Sequence, residues 1–460
     1  MEWLRLTLAL GLPATLGLSL AAIWIPAARR RACLVAGYGL VMTLVLWPLV
    51  LRLCAALGAG PGFHLPLVFA LLLIVGLQIR LWRSAPVTPA PGERKPPLFA
   101  AGWLPRALCL LLLALLSLRL FSLAQEVLWR PVYPWDATMH WATKARVWFE
   151  LQDFVPFVSN EEWLRRGGEG VFTDHHPGYP VTVPLWQYWV STALGRWDPA
   201  LINLPWLLCY LGLGLAFMGQ AREAGASRVE SLVFTTFLLT LPLLNTHVAL
   251  AGYADLFLGA CYGLALMSLH AASRGGQRWQ WVLVFLFACA CPLIKNEGFF
   301  WMLTLLPGCW VAWRRDATSV LLAILGVAAA VPLVLWLFPA DVSVAGHSLN
   351  SLDLAYRPGS LEGIFTSLLV LDNWHLTFWY FCLLLVLAIW RRPGVLQAAG
   401  PVTAALAAAG ILFLCLFAVT EYAVGAVRQT AVGRITLQLV PGFLFLLLLL
   451  HLQLHRDETA

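Results

Sequence analysis

Long apolar runs, punctuated by short arginine-bearing turns, set the pattern of this chain. About 20 consecutive apolar residues suffice for a helix to cross a bilayer. Thirteen such runs predict spans, over 3–26, 33–57, 63–82, 105–125, 199–220, 229–250, 253–272, 279–295, 298–313, 318–338, 372–391, 398–419 and 435–454. Two stretches break the rhythm. Pro86, Pro89, Pro91, Pro96 and Pro97 make 84–104 a flexible linker. Residues 126–198 are polar, yet too rich in Trp, Phe and Pro for disorder, and predict short helices lying on the membrane surface. Within them, 179–195 is apolar but too short to span and reads as a half-buried, interfacial helix. The pattern thus predicts an all-α integral membrane protein, with about 13 transmembrane helices and a large outer loop carrying interfacial helices. Its expected divisions are a three-span N-terminal module (1–83), a cytoplasmic linker (84–104), a transmembrane body (105–454) that includes the outer loop, and a short cytoplasmic tail (455–460). No soluble domain and no internal repeat is evident.

Composition supports this class. The 460 residues are 60% hydrophobic and 12% charged, with a mean hydropathy of +0.78. The formal charge of +7 does not indicate nucleic acid, because the arginines gather at the ends of apolar runs. Arg29, Arg30 and Arg31, then Arg80, Arg83, Arg94, Lys95 and Arg106, then the pairs Arg222/Arg228, Arg274/Arg278, Arg314/Arg315 and Arg391/Arg392 all fall on one side if the chain alternates through those spans. Basic loops face the cytoplasm. The expected protein therefore sits in the inner (plasma) membrane with its N-terminus outside and its C-terminus cytoplasmic. The first apolar run lacks a basic leader and a clear cleavage site, so it reads as a retained span. The 10 cysteines lie in or beside apolar runs and read as small core residues, not as a disulfide frame.

With that orientation the unusual polar clusters share the outer face. Ionisable groups are costly in lipid, so such convergence points to an active site. The first cluster runs from Tyr133 to Arg146. Asp136, His140 and Lys144 stand at i, i+4 and i+8, along one face of a helix. A carboxylate at Asp136 suits proton removal from a hydroxyl; the plainer reading is a helix cap with Lys144 in solvent. The second cluster is Thr173-Asp174-His175-His176-Pro177-Gly178-Tyr179-Pro180. It reads as a hydrogen-bonding wall for a sugar or phosphate. A divalent metal stays open here, although the spacing of ordinary metal sites is missing. Lys295-Asn296-Glu297-Gly298 offers Lys295 to a phosphate, or a Lys295–Glu297 pair. Arg434 opens the last span as a phosphate fork or as an outer anchor. Asp255 begins a span, as a substrate contact or a cap.

These elements, in this order, resemble the glycosyltransferase C superfamily of multi-pass, lipid-sugar-dependent enzymes, and especially its protein O-mannosyltransferase and aminoarabinose transferase branch. The resemblance covers about 105–454. It rests on Asp136 early in the first large loop, His176-Pro177 with the helix ending at Leu194-Gly195, and the Tyr253-Ala254-Asp255 span start. The Lys295-Asn296-Glu297-Gly298 turn and Gly433-Arg434-Ile435-Thr436-Leu437-Gln438-Leu439-Val440-Pro441 complete it. It implies a GT-C-like fold, a polyprenyl-phosphate sugar donor, and a glycan, lipid or protein acceptor reached from outside. It also implies a catalytic role for Asp136 and donor-phosphate contacts at Lys295 and Arg434. Relatives often carry an Asp-Glu pair in this loop; here Ala137 follows Asp136, which leaves His140 or Asp174 as the second partner. Spans 3–82 lie outside the resemblance.

The expected catalytic residues are therefore Asp136 and His140. Lys144, Asp174, His175, His176, Tyr179, Asp255, Lys295, Glu297 and Arg434 are the expected substrate and donor-phosphate contacts. Membrane lipid is the surrounding partner, and nucleic acid is not one. Two rivals remain: a ligase or polymerase of lipid-linked glycans, which would use the same outer groups, and a lipid or solute transporter. A transporter favours midplane polar groups and repeat symmetry, whereas these groups stand at span ends.

Overall fold

The computed structural model describes residues 1–58, 60, 62–83, 102–275, 277–314, 316–337, 343–344, 347–348, 355–391 and 399–456. The expected linker before residue 102, most of 339–354 and the tail beyond Arg456 lie outside the described residues. Regular structure is almost wholly helical. Among the described residues strand pairing is confined to two short pairs, β1 (Phe157–Val158) with β2 (Phe172–Thr173), parallel, and β3 (Ser343–Val344) with β4 (His347–Ser348), antiparallel. Among the described residues eight helices are long and apolar enough to cross a membrane, or nine if one bent pair counts as a single span. The chain divides into two compact units, 1–219 with 245–257, and 220–244 with 258–460.

The first unit contains α1 (Glu2–Trp24), α2 (Ala32–Ala56), α3 (His64–Arg83), α4 (Trp103–Trp129), α5 (Thr143–Leu151), α6 (Asn160–Arg165) and α7 (Thr182–Leu194), followed by most of α8 (Leu204–Glu223). Helix α1 packs on α2 and α3, and α7 packs on α1, α2 and α5. Instead of the half-buried interfacial helix expected over 179–195, every residue of α7 is buried.

Two prolines explain how α7 is held. Pro13 in α1 and Pro48 in α2 have no N–H, so the carbonyls four residues earlier, at Ala9 and Leu44, lose their helical donors. Trp189 Nε1 donates to the Ala9 carbonyl at 2.8 Å, and Trp186 Nε1 donates to the Leu44 carbonyl at 2.9 Å. Two buried indoles thus satisfy two buried backbone acceptors. Gly37 lets α2 approach α8 closely: a Cβ there would lie 2.1 Å from the Ala216 nitrogen.

The second unit contains α9 (Arg228–Leu239), α10 (Pro242–Ala249), which runs on into the first unit, α11 (Asp255–Ser273), which starts there, α12 (Arg278–Ile294), α13 (Gly298–Arg314), α14 (Ala317–Leu337), α15 (Ser360–Phe365), α16 (Thr377–Arg391), α17 (Gly400–Val419), α18 (Ala423–Val427) and α19 (Val432–Arg456). Helix α13 packs on α12, α14 and α17, while α19 packs on α9, α16 and α17. The straight span expected over 229–250 is broken: α9 and α10 meet at 59°. Pro242 cannot donate to the Leu238 carbonyl, which takes the Leu241 N–H at 3.3 Å instead. The Thr240 carbonyl, exposed at the break, lies 2.9 Å from His375 Nε2. Proline also shapes α19, where Pro441 leaves the Leu437 carbonyl without its helical donor. The missing Cβ of Gly259 would lie only 2.8 Å from that oxygen, so α11 and α19 touch backbone to backbone.

Candidate functional site

The polar island folds as a helix with one widened section. Residues Ala137–Ala142 wind as a π-helix before α5 begins at Thr143. Thr143 Oγ1 reaches back to the Thr138 carbonyl at 2.8 Å. Such widened turns gather at functional sites because they re-aim side chains. Here His140 and Lys144 still share a face and point inward, whereas Asp136 stays half-buried at the start of the section.

The β1–β2 pair carries the second cluster to them. The Asp174 N–H donates to the Val158 carbonyl at 3.1 Å, fixing the residue that follows β2. The Asp174 carboxylate is the hub. Its Oδ1 lies 2.8 Å from His140 Nδ1 and accepts the His176 N–H at 3.1 Å. Its Oδ2 pairs with Lys144 Nζ at 2.7 Å. Lys144 also donates to the His176 carbonyl at 3.0 Å, and its ammonium lies 5.7 and 5.9 Å from the ring centres of Phe157 and Tyr179.

An aromatic wall surrounds this hub. The His176 ring stacks on Tyr179 at 4.8 Å, and Tyr179 stacks on Trp141 at 5.2 Å. His140 meets Trp135, His176 and Tyr179 edge-on. His140, Lys144 and Asp174 are buried, while His175, His176, Tyr133 and Trp135 are exposed. The arrangement is a buried ionic base beneath an accessible aromatic surface.

Burial alone would push the Asp174 carboxyl upward. The hydrogen bonds from Lys144, the His176 amide and His140, with the Lys144 charge, outweigh it and hold the carboxyl below its ordinary value. Burial draws the Lys144 ammonium down, and Asp174 opposes that by hydrogen bond and charge. The His176 imidazole is held below its ordinary value by burial and by the neighbouring His140 and His175, against the pull of Asp174 and Asp136. An ionised Asp174 has no proton to give, so the His140 Nδ1 carries the hydrogen between them, which leaves Nε2 facing away from Asp174 as the acceptor atom of the ring's neutral form.

The expected residues are therefore sorted by position. Asp174 and Lys144 do not line a surface; they lie under it and hold His140. Lys144, read from sequence as solvated or phosphate-binding, is 1% exposed and committed to Asp174. Asp136 acts on His176 through its charge. The turn before Asp255 abuts the π-helix: a Cβ on Gly252, whose φ is +112°, would lie 2.7 Å from the Ala137 Cβ. Asp255 itself is fully buried. Among the described residues no three His, Cys, Asp or Glu side chains converge as a metal set, and the Asp174-His175-His176 run spends its carboxylate on His140 and Lys144.

In the second unit, Lys295 is buried and pairs with Glu297 at 2.9 Å. Trp301, one turn beyond Glu297, donates from Nε1 to Gln438 Oε1 at 2.6 Å. Gln438 stands one turn beyond Arg434, so Glu297 and Arg434 occupy the same end of two adjacent helices. The charge of Glu297 also reaches the Tyr422 phenol. Trp141 and Phe157 belong to the first site as well, beyond the expected contacts. Trp141 lies inside the polar island itself. Nothing local marks Phe157, which arrives by strand pairing.

Helices and sites together define an all-α, multi-pass membrane protein. Compared with known protein families, characterised proteins and solved structures, the chain matches none.

Proposed function

We propose that this protein is a membrane glycosyltransferase, moving a sugar from a polyprenyl-phosphate donor to a glycan, lipid or protein acceptor on the extracytoplasmic face. The observation that carries the reading is the Asp174 hub, a buried carboxylate that fixes His140 and Lys144 beneath a partly exposed aromatic wall. The exposed His176 ring stacked on half-buried Tyr179, with exposed Trp135 beside His140, suits the apolar face of a sugar ring. Asp136 and the Nε2 of His140 supply acceptors for the proton of an attacking hydroxyl. As that oxygen bonds to the sugar's anomeric carbon, the bond from that carbon to the phosphate oxygen breaks, and the lipid phosphate leaves with the electron pair. Asp174 orients His140, and Lys144 balances its charge.

Lys295 and Arg434, at one end of α13 and α19, form a separate candidate for a phosphate, with Glu297 as the resident counter-charge of Lys295. The proposed topology has thirteen spans, the N-terminus outside and the C-terminus in the cytoplasm of a cell bounded by this inner membrane. The arginine distribution supports it.

Incubating the purified protein in detergent with a panel of polyprenyl-phosphate sugars tests the reading. Release of polyprenyl phosphate coupled to sugar transfer is expected for at least one donor. Failure of the whole panel, with folded protein and a range of acceptors, would contradict it.

A further inference from the structure

Helix α4 carries an arginine where a lipid-facing helix has least use for one. Only 11% of its apolar window is buried. Leu111, Leu118 and Phe121 are exposed, while Cys109, Leu123 and Val127 mark the one face turned to the rest of the unit. Trp103 and Trp129 are exposed at its two ends, as suits the two interfacial zones of a bilayer. Arg119 lies between them, about 15 Å along the axis from Trp129 at 1.5 Å per residue. A hydrocarbon core of about 30 Å therefore encloses its position.

The Arg119 side chain is exposed. Its charge acts on the buried Tyr210 phenol of α8. Among the described residues no carboxylate pairs with it. The nearest acid along the helix, Glu126, is taken by Arg130 at 2.6 Å. A second copy of the chain offers no better partner, because acidic residues in the eight long apolar helices stand only near their ends. A cation in hydrocarbon without an anion is costly, and its long stem lets the guanidinium reach along the helix toward a headgroup.

We infer that Arg119 binds the phosphate of an anionic phospholipid of the surrounding bilayer, whose chains lie along the exposed leucine face of α4. The guanidinium fork matches two phosphate oxygens. A zwitterionic lipid brings its own ammonium, which competes for the phosphate in a low dielectric. This inference does not rest on the sugar-transfer reading.

Native mass spectrometry of the purified protein titrated with phosphatidylglycerol or phosphatidylcholine tests it, with polyprenyl phosphate as competitor. The unaltered protein should bind its first phosphatidylglycerol roughly tenfold more tightly than phosphatidylcholine, as a charge-assisted, forked contact allows. Arg119→Leu, an apolar change on a lipid-facing helix, should erase that preference while leaving the unfolding midpoint in detergent intact. Arg119→Lys, which keeps the charge and loses the fork, should retain only part of it, and carries the comparison if the leucine variant fails to fold. Unchanged preference in these variants would overturn the inference. So would displacement of phosphatidylglycerol by equimolar polyprenyl phosphate, which would give the position to a different lipid.

Discussion

Asp174 supports both ends of the site at once, holding the His140 imidazole and neutralising a lysine that is 1% exposed. Asp174→Asn keeps the shape but leaves Lys144 buried without its counter-charge. It should destabilise the protein by about 3–5 kcal/mol, the usual cost of breaking a buried pair from one side, and adding Lys144→Met should recover part of the loss. Thermal unfolding in detergent measures both. A pH effect belongs to His176. Its folded pKa is below the unfolded one, so the unfolded chain binds more protons as pH falls below about 6.5. Its contribution is complete above that pH and declines as acid is added, until the folded ring also protonates. The unfolding midpoint of the natural protein should thus fall more between pH 7 and 5 than that of His176→Gln; parallel curves would deny His176 this role. At this scale the sequence revealed residue types but not their roles. Asp136, His140 and Lys144 were visible as a spaced set, yet Asp174 lies 34 residues from His140 and its position follows from strand pairing.

Proline, more than hydrophobicity, decides how the helices of the first unit are joined. Pro13 and Pro48 each open a carbonyl, and Trp189 and Trp186 fill them. Trp186→Phe should cost about 1–3 kcal/mol by leaving the Leu44 carbonyl buried and unsatisfied. In a Pro48→Ala background residue 48 regains an N–H for that carbonyl, so the same change should cost less. A double-mutant cycle reads the coupling, and strictly additive losses would exclude it. Helix positions were legible from apolar runs because length and composition suffice to locate a span. The 59° break at Pro242 and the full burial of α7 were not. The first depends on whether a local proline bends or ends a helix. The second depends on partners from α1 and α2, far off in sequence. The π-turn at Ala137–Ala142 has no spacing signature of its own.

For the whole molecule, the class was legible in the pattern of apolar runs. A 60% hydrophobic chain with arginines at its run ends has few ways to exist outside a bilayer. The arginine pattern makes a prediction about sidedness: in a cysteine-free background, a cysteine at position 90 should label only from the cytoplasmic face, and one at position 168 only from the outer face. The reverse would move the Asp174 site to the wrong side for a donor presented outside. The most direct test of the proposed activity is sugar transfer from a purified polyprenyl-phosphate sugar by the natural protein and by Asp136→Asn. The variant should lose roughly 10²–10⁴-fold in transfer, the range of a positioned base, with an unchanged unfolding midpoint. Near-normal turnover by the variant would reduce Asp136 to a helix cap and contradict the proposed chemistry of the site.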